Sequence, residues 1–116
     1  MTANGKPVVV YCTFPERATA LAIAGALVDE GLAACVNVLG EITSVYVWEG
    51  ARHEEAEVAA IVKTVADRAE EVVAFVKARH PFTNPAILVV PITGGSAEFL
   101  AWITQGTVRR GGGDAG

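Results

Sequence analysis

Ile42-Thr43-Ser44-Val45-Tyr46-Val47-Trp48, a turn at Glu49-Gly50-Ala51-Arg52-His53, then Glu54-Glu55-Ala56-Glu57-Val58-Ala59-Ala60-Ile61-Val62-Lys63-Thr64: this stretch decides the fold. The first arm is rich in β-branched and aromatic residues, which suit a pleated strand. The second arm alternates, with Ala56, Val58, Ala60 and Val62 on one face and Glu55, Glu57, Ala59, Ile61 and Lys63 on the other. A period of two with charge on one side predicts a half-buried strand. The two arms therefore read as a long hairpin. Upstream, Cys35-Val36-Asn37-Val38-Leu39 belongs to the first arm, and Gly40-Glu41 interrupts it as a bulge or bend does.

The hairpin is too long for its own domain. From Ala33 to Trp48 the chain would span roughly 53 Å if extended, whereas a globule of this length is about 35 Å across. Its tip carries Tyr46, Val47 and Trp48. Apolar residues on an exposed strand edge invite pairing with another chain, so the hairpin reads as an assembly device.

On the N-terminal side, Gly31 supplies a left-handed stop to a helix in which Leu21, Ala24, Gly25, Val28 and Leu32 recur at helical spacing. Thr13-Phe14-Pro15-Glu16 has the spacing of a capping box for its start, after a strand at Val8–Thr13. On the C-terminal side, Asp67-Arg68-Ala69-Glu70 repeats that spacing and opens a second helix, which Pro81 ends. Ala86–Val90 is a short apolar strand, and Gly94-Gly95-Ser96 caps a brief helix with Phe99, Leu100, Trp102 and Ile103 as its core. The order β-α-β-β-α-β predicts an α+β, ferredoxin-like antiparallel sheet with both main helices on one face. One domain over 8–108 is expected, after a lead at 1–7 and before a loose polar tail at 109–116.

Composition narrows the function. Without its 12 glycines the chain is still 52% hydrophobic, where ordinary domains reach about 45–50% with glycine counted. So much apolar material in 116 residues favours self-association. A net charge of −4 offers no basic footprint for nucleic acid. No apolar run is long enough for a membrane span and no signal core is visible, so the expectation is a cytoplasmic protein. Two cysteines make no disulfide scaffold and are expected to be reduced. In the predicted sheet a strand lies between Cys12 and Cys35, too far for a bridge. Nucleotide-loop, zinc-protease and nucleophile-elbow motifs are all missing, which argues against catalysis.

Several ordered motifs carry a resemblance: Val10-Tyr11-Cys12-Thr13, Leu32-Ala33-Ala34-Cys35-Val36-Asn37, Tyr46-Val47-Trp48-Glu49-Gly50 and Ile61-Val62-Lys63-Thr64. His80-Pro81-Phe82, Pro85, Pro91-Ile92 and Leu100-Ala101-Trp102-Ile103 follow in the same order. Together they resemble the CutA divalent-cation-tolerance family over Val8 to about Val108. The resemblance implies a homotrimer joined through the hairpins, at Tyr46, Val47 and Trp48, and similar in plan to PII-type signalling trimers. It also implies a link to copper and other divalent metal ions, as ligands of a non-catalytic protein with no organic cofactor. Copper-binding members use cysteines at the positions of Cys12 and Cys35 and a histidine before the proline. Where those members show His-His-Pro this chain has Arg79-His80-Pro81, which makes His80 the nearest third ligand.

The residues themselves leave alternatives. Cys12 and Cys35 are either soft ligands or small core residues. His80 is a ligand or a structural cap at a helix C-terminus. His53 reads as a solvated turn residue, and Glu54, Glu55 and Glu57 as a solvated face or as carboxylates for a hard cation. Lys63, expected near where the first strand ends at Thr13, would join Glu57, Trp48 and His80 in an intersubunit cleft. That cleft is either a small anionic-ligand pocket of a PII-like sensor or adaptor, or an interface ion pair.

Overall fold

β1 (Pro7–Phe14) is the strand around which the sheet forms, and its alternation explains why. Val8, Val10, Cys12 and Phe14 are all buried, and they point to one face. The computed structural model describes residues 5–107. In chain order β1 is followed by α1 (Arg17–Asp29), β2 (Cys35–Trp48), β3 (Ala51–Val65), α2 (Ala66–Arg79), β4 (Ile87–Pro91) and α3 (Ala97–Gly106). The four strands form one antiparallel sheet in the order β2-β3-β1-β4, the α+β ferredoxin-like arrangement. The expected tail at 109–116 and the first four residues of the lead lie outside the described residues.

Register assigns the faces. Val10, Cys12 and Phe14 of β1 oppose Val62, Ala60 and Val58 of β3, and Val36 and Val38 of β2 continue the same rows. Against this face pack Ala20, Ile23 and Leu27 of α1 and Val72 and Val76 of α2, closing the core. Each large aliphatic side chain removed from water there contributes roughly 1.5–3 kcal/mol. The opposite face carries Cys35, Asn37, Glu57, Ala59, Ile61 and Lys63. α3 lies on that side, since the Lys63 ammonium sits 5.1 Å over the Phe99 ring.

The sheet changes character at Val58. Beyond it β1 ends, and Ala51–Glu57 of β3 pair with β2 alone. A two-stranded ribbon therefore projects from the domain and stretches the molecule to 49 × 31 × 22 Å. The expected interruption at Gly40-Glu41 is a register shift between Val38 and Glu41. The turn is tighter than the sequence suggested. Glu49 and Gly50, at φ of 50° and 81°, make it by themselves, and β3 begins at Ala51.

Four other expectations are corrected. Thr13 is not a helix cap; it is buried inside β1, and Glu16 precedes α1 without a side-chain cap. Asp67 likewise falls within the first turn of α2, with Val65 in the cap position. α1 is rotated from the expected stripe: Ala20, Ile23, Ala24 and Leu27 are buried, while Leu21 and Gly25 are exposed. With so few charges in its sequence, several of its faces look apolar, and packing chose among them. In α3, Ile103 is the buried residue while Phe99 and Trp102 are stacked and half exposed. Ser96 does cap that helix, accepting from the Phe99 amide.

Gly31 ends α1 at φ 74°, with its amide and that of Leu32 donating to the Val28 and Leu27 carbonyls. A Cβ in that conformation crowds the following carbonyl. Gly31→Ala should lower stability by about 1–2 kcal/mol, seen as a lower urea midpoint with an unchanged slope.

Candidate functional site

The sequence-predicted ligands fall on two sides of the sheet. Cys12 lies on the helix face, fully buried in the core. Cys35 lies on the opposite face, on β2, with β3 between it and β1. Both thiols are free, as expected. Burial pushes the Cys12 thiol up to about 11, so at neutral pH it is protonated. A metal ligand has to be the thiolate. Cys35 is half-buried and sits directly across from Lys63.

His80 has a different occupation. Its ring lies between Phe14, stacked at 5.0 Å, and Phe82 at 5.1 Å. Nε2–H donates to the Thr13 carbonyl at 2.7 Å, and Nδ1 accepts from the Phe82 amide at 3.1 Å. Both nitrogens are thus engaged and the tautomer is set. The side chain ties the segment after α2 to the end of β1, which is a structural role. Arg79, the residue before His80, packs its guanidinium 3.5 Å from the Phe75 ring centroid and donates to the Phe75 carbonyl.

The expected cleft of Trp48, Glu57, Lys63 and His80 does not assemble within one subunit. Lys63 pairs with Val9 near the start of β1, not with its end at Thr13, where His80 sits. Glu57 is six residues away along β3, about 20 Å, and Trp48 is at the hairpin tip. A cleft holding all four would have to draw them from different subunits. Glu57 itself is buried and accepts from Ser44 Oγ at 2.5 Å. It lines a cleft of about 320 Å³ at the β2 bulge, shared with Glu16, Arg17, Gly40 and Glu41. Sequence reasoning missed this cleft, although the bulge at Gly40 was its signal. Three carboxylates against one guanidinium make it a poor seat for an anion.

On the ribbon, side chains of the Cys35 face form a ladder. Tyr46 hydroxyl donates to Glu55 Oε1 at 2.9 Å, which raises the tyrosine pKa, and its ring stacks on His53 at 5.3 Å. His53 Nδ1 lies 4.0 Å from Glu55 Oε2. His53 therefore belongs to β3, not to a solvated turn. Among the described residues no three of His, Cys, Asp and Glu converge on one point.

The comparisons with known proteins bear on this arrangement. A family model described as CutA1 divalent ion tolerance protein matches residues 8–106. The chain belongs to this family. The divalent-cation tolerance protein CutA of Escherichia coli is 38% identical over 102 residues, covering 88% of this chain and 91% of that protein. Among solved structures, CutA1 from Oryza sativa superposes with a TM-score of 0.86 at 36% identity, covering 92% of this chain and 98% of the other. The periplasmic divalent cation tolerance protein CutA from Archaeoglobus fulgidus gives 0.84 at 40% identity, over 88% and 99%. The resemblance read from the ordered motifs is thereby established, and with it membership of a tolerance-protein family. Copper at a joint Cys12–Cys35–His80 centre does not fit this subunit: one thiol is protonated in the core, the second is on the other face, and the imidazole has no free nitrogen.

Three outcomes follow for these residues. In native protein Cys35 should alkylate readily and Cys12 only on unfolding, read by intact mass. The Cys12 thiol ionises near 9 when unfolded and about 11 when folded, so its contribution to stability is present below pH 9 and lost as pH rises toward 11. Cys12→Ser should flatten that alkaline slope. His80→Ala, which removes two hydrogen bonds and a stacked ring, should cost roughly 2–3 kcal/mol in chemical denaturation.

Proposed function

We propose that the chain acts in divalent-cation tolerance as a non-catalytic homotrimer in which each hairpin is covered by a neighbouring copy. One observation carries the reading: the ribbon and the β4 edge expose apolar side chains that a monomer leaves in water. Val47 is 69% exposed, Trp48 51% and Leu88 59%, with Val45, Val89 and Val90 beside them. A two-stranded ribbon alone is marginally stable in water. β2 and β4 are the two open edges of the sheet. Contact between unlike surfaces such as a hairpin and a strand edge is heterologous, and it closes into a ring when the rotation allows. The family resemblance supplies the count of three. Tyr46, Val47 and Trp48 are the residues of the hairpin assigned to that interface.

The reading locates the trimer in the cytoplasm on the two unpaired thiols, which suit a reducing compartment. No described helix is long and apolar enough to cross a membrane. The alternative of a PII-like sensor for a small anion is disfavoured by the acidic lining of the Glu57 cleft.

Sedimentation equilibrium at micromolar concentration should return about three times the 12.1 kDa chain mass. Trp48→Ala should shift mass toward smaller species and lower an unfolding midpoint that depends on protein concentration. A monomer with a concentration-independent midpoint refutes the assembly.

A further inference from the structure

We propose that His53 and Glu55 form a site on the hairpin for a divalent transition ion such as Zn²⁺ or Cu²⁺, with Tyr46 holding the carboxylate in place. The chain has two histidines and two cysteines. Cys12 is a protonated core thiol, and His80 has both nitrogens committed. That leaves Cys35 and His53 as the soft or borderline donors with access to solvent. Cys35 faces Lys63 across the strand, about 4.5–5.5 Å between Cβ atoms. Lys63 thus puts a positive charge on the same sheet face as Cys35, which opposes a cation there. His53 has the reverse environment, with a carboxylate of the same strand face beside it.

The geometry of the pair suits chelation. Residues two apart on a strand share a face, and the His53–Glu55 pair brings Nδ1 to 4.0 Å from Oε2. Tetrahedral zinc at about 2.0–2.1 Å from each donor needs them roughly 3.3 Å apart, a closure of about 0.7 Å from the observed 4.0 Å. The Tyr46 hydroxyl takes up Oε1, which turns Oε2 toward the imidazole. Metal-bound carboxylates are commonly oriented by such a second hydrogen bond. Imidazole with carboxylate is a donor set that selects zinc and copper over magnesium or calcium. Water, or a donor of the neighbouring copy that covers the hairpin, completes the coordination sphere. The pair lies on the hairpin, so the site rests on the proposed function in placing metal contact at the boundary between copies.

Zn²⁺ and Cu²⁺ titrations of the reduced, full-length protein test it, with calorimetry for affinity and NMR for the histidine ring protons. The His53 signals should shift with Zn²⁺ and broaden with Cu²⁺ while those of His80 stay in place, and copper should bind tighter than zinc. His53→Ala and Glu55→Gln should abolish the binding, Tyr46→Phe should weaken it roughly tenfold, and Cys12→Ser and Cys35→Ser should leave it unchanged. The NMR titration of the unmutated protein reads the site even where a variant misfolds. An unmoved His53, binding that survives His53→Ala, or binding lost in Cys35→Ser overturns the site. Sedimentation of the same samples separates the two ideas: a metal-binding monomer refutes the trimer alone, and a trimer whose His53 ignores both ions refutes the site alone.

Discussion

β3 has 15 residues and β1 has 8, and the difference between these paired strands governs the rest of the molecule. Where both run side by side, from Val58 to Val65, β3 is inside a four-stranded sheet and its helix face is sealed by α1 and α2. Where β1 is absent, β3 has only β2 for company, and Val45, Val47 and Trp48 stand in water. Hydrogen bonding between two strands does not offset the ordering of so many residues without a covered apolar face. The proposed assembly answers this imbalance, since β4 is the other open edge of the sheet and is apolar as well.

The same pairing decides the chemistry. Because side chains alternate across a sheet, a residue's register assigns it irrevocably to a face. Cys12 opposes Ala60, and Cys35 opposes Lys63, three residues further along β3. An odd separation puts the two thiols on opposite sides. Burial then keeps the Cys12 proton on, and the Thr13 carbonyl and Phe82 amide hold the His80 ring. Three residues that look like a ligand set in the sequence are a core thiol, a half-buried thiol on the other face and a latch. The ribbon, by contrast, brings His53, Glu55 and Tyr46 to one face by that same alternation.

Legibility followed the strength of the local signal. The alternation of Ala56 to Val62 and the turn at Glu49-Gly50 specify the hairpin, and Gly31 and Ser96 act at the helix ends as their chemistry requires. Thr13 and Asp67 misled because cap-type spacing also occurs in strands and within helices; a carboxylate or hydroxyl caps only where the backbone turns. The stripe of α1 was misread because Leu21 and Ile23 are equally apolar, and only Ile23 meets the sheet.

The sequence by itself determined the order of elements, the long hairpin, the bulge at Gly40 and the family, since each rests on residues near one another in the chain or on ordered motifs. Tertiary structure alone decided which face each cysteine occupies, what engages His80, and that Phe99 and Trp102 stay half exposed. The physical reason is that strand register and helix rotation are set by contacts between distant segments. Val10 meets Val62 and Thr13 meets His80 only after the sheet has formed, and no local propensity encodes either meeting.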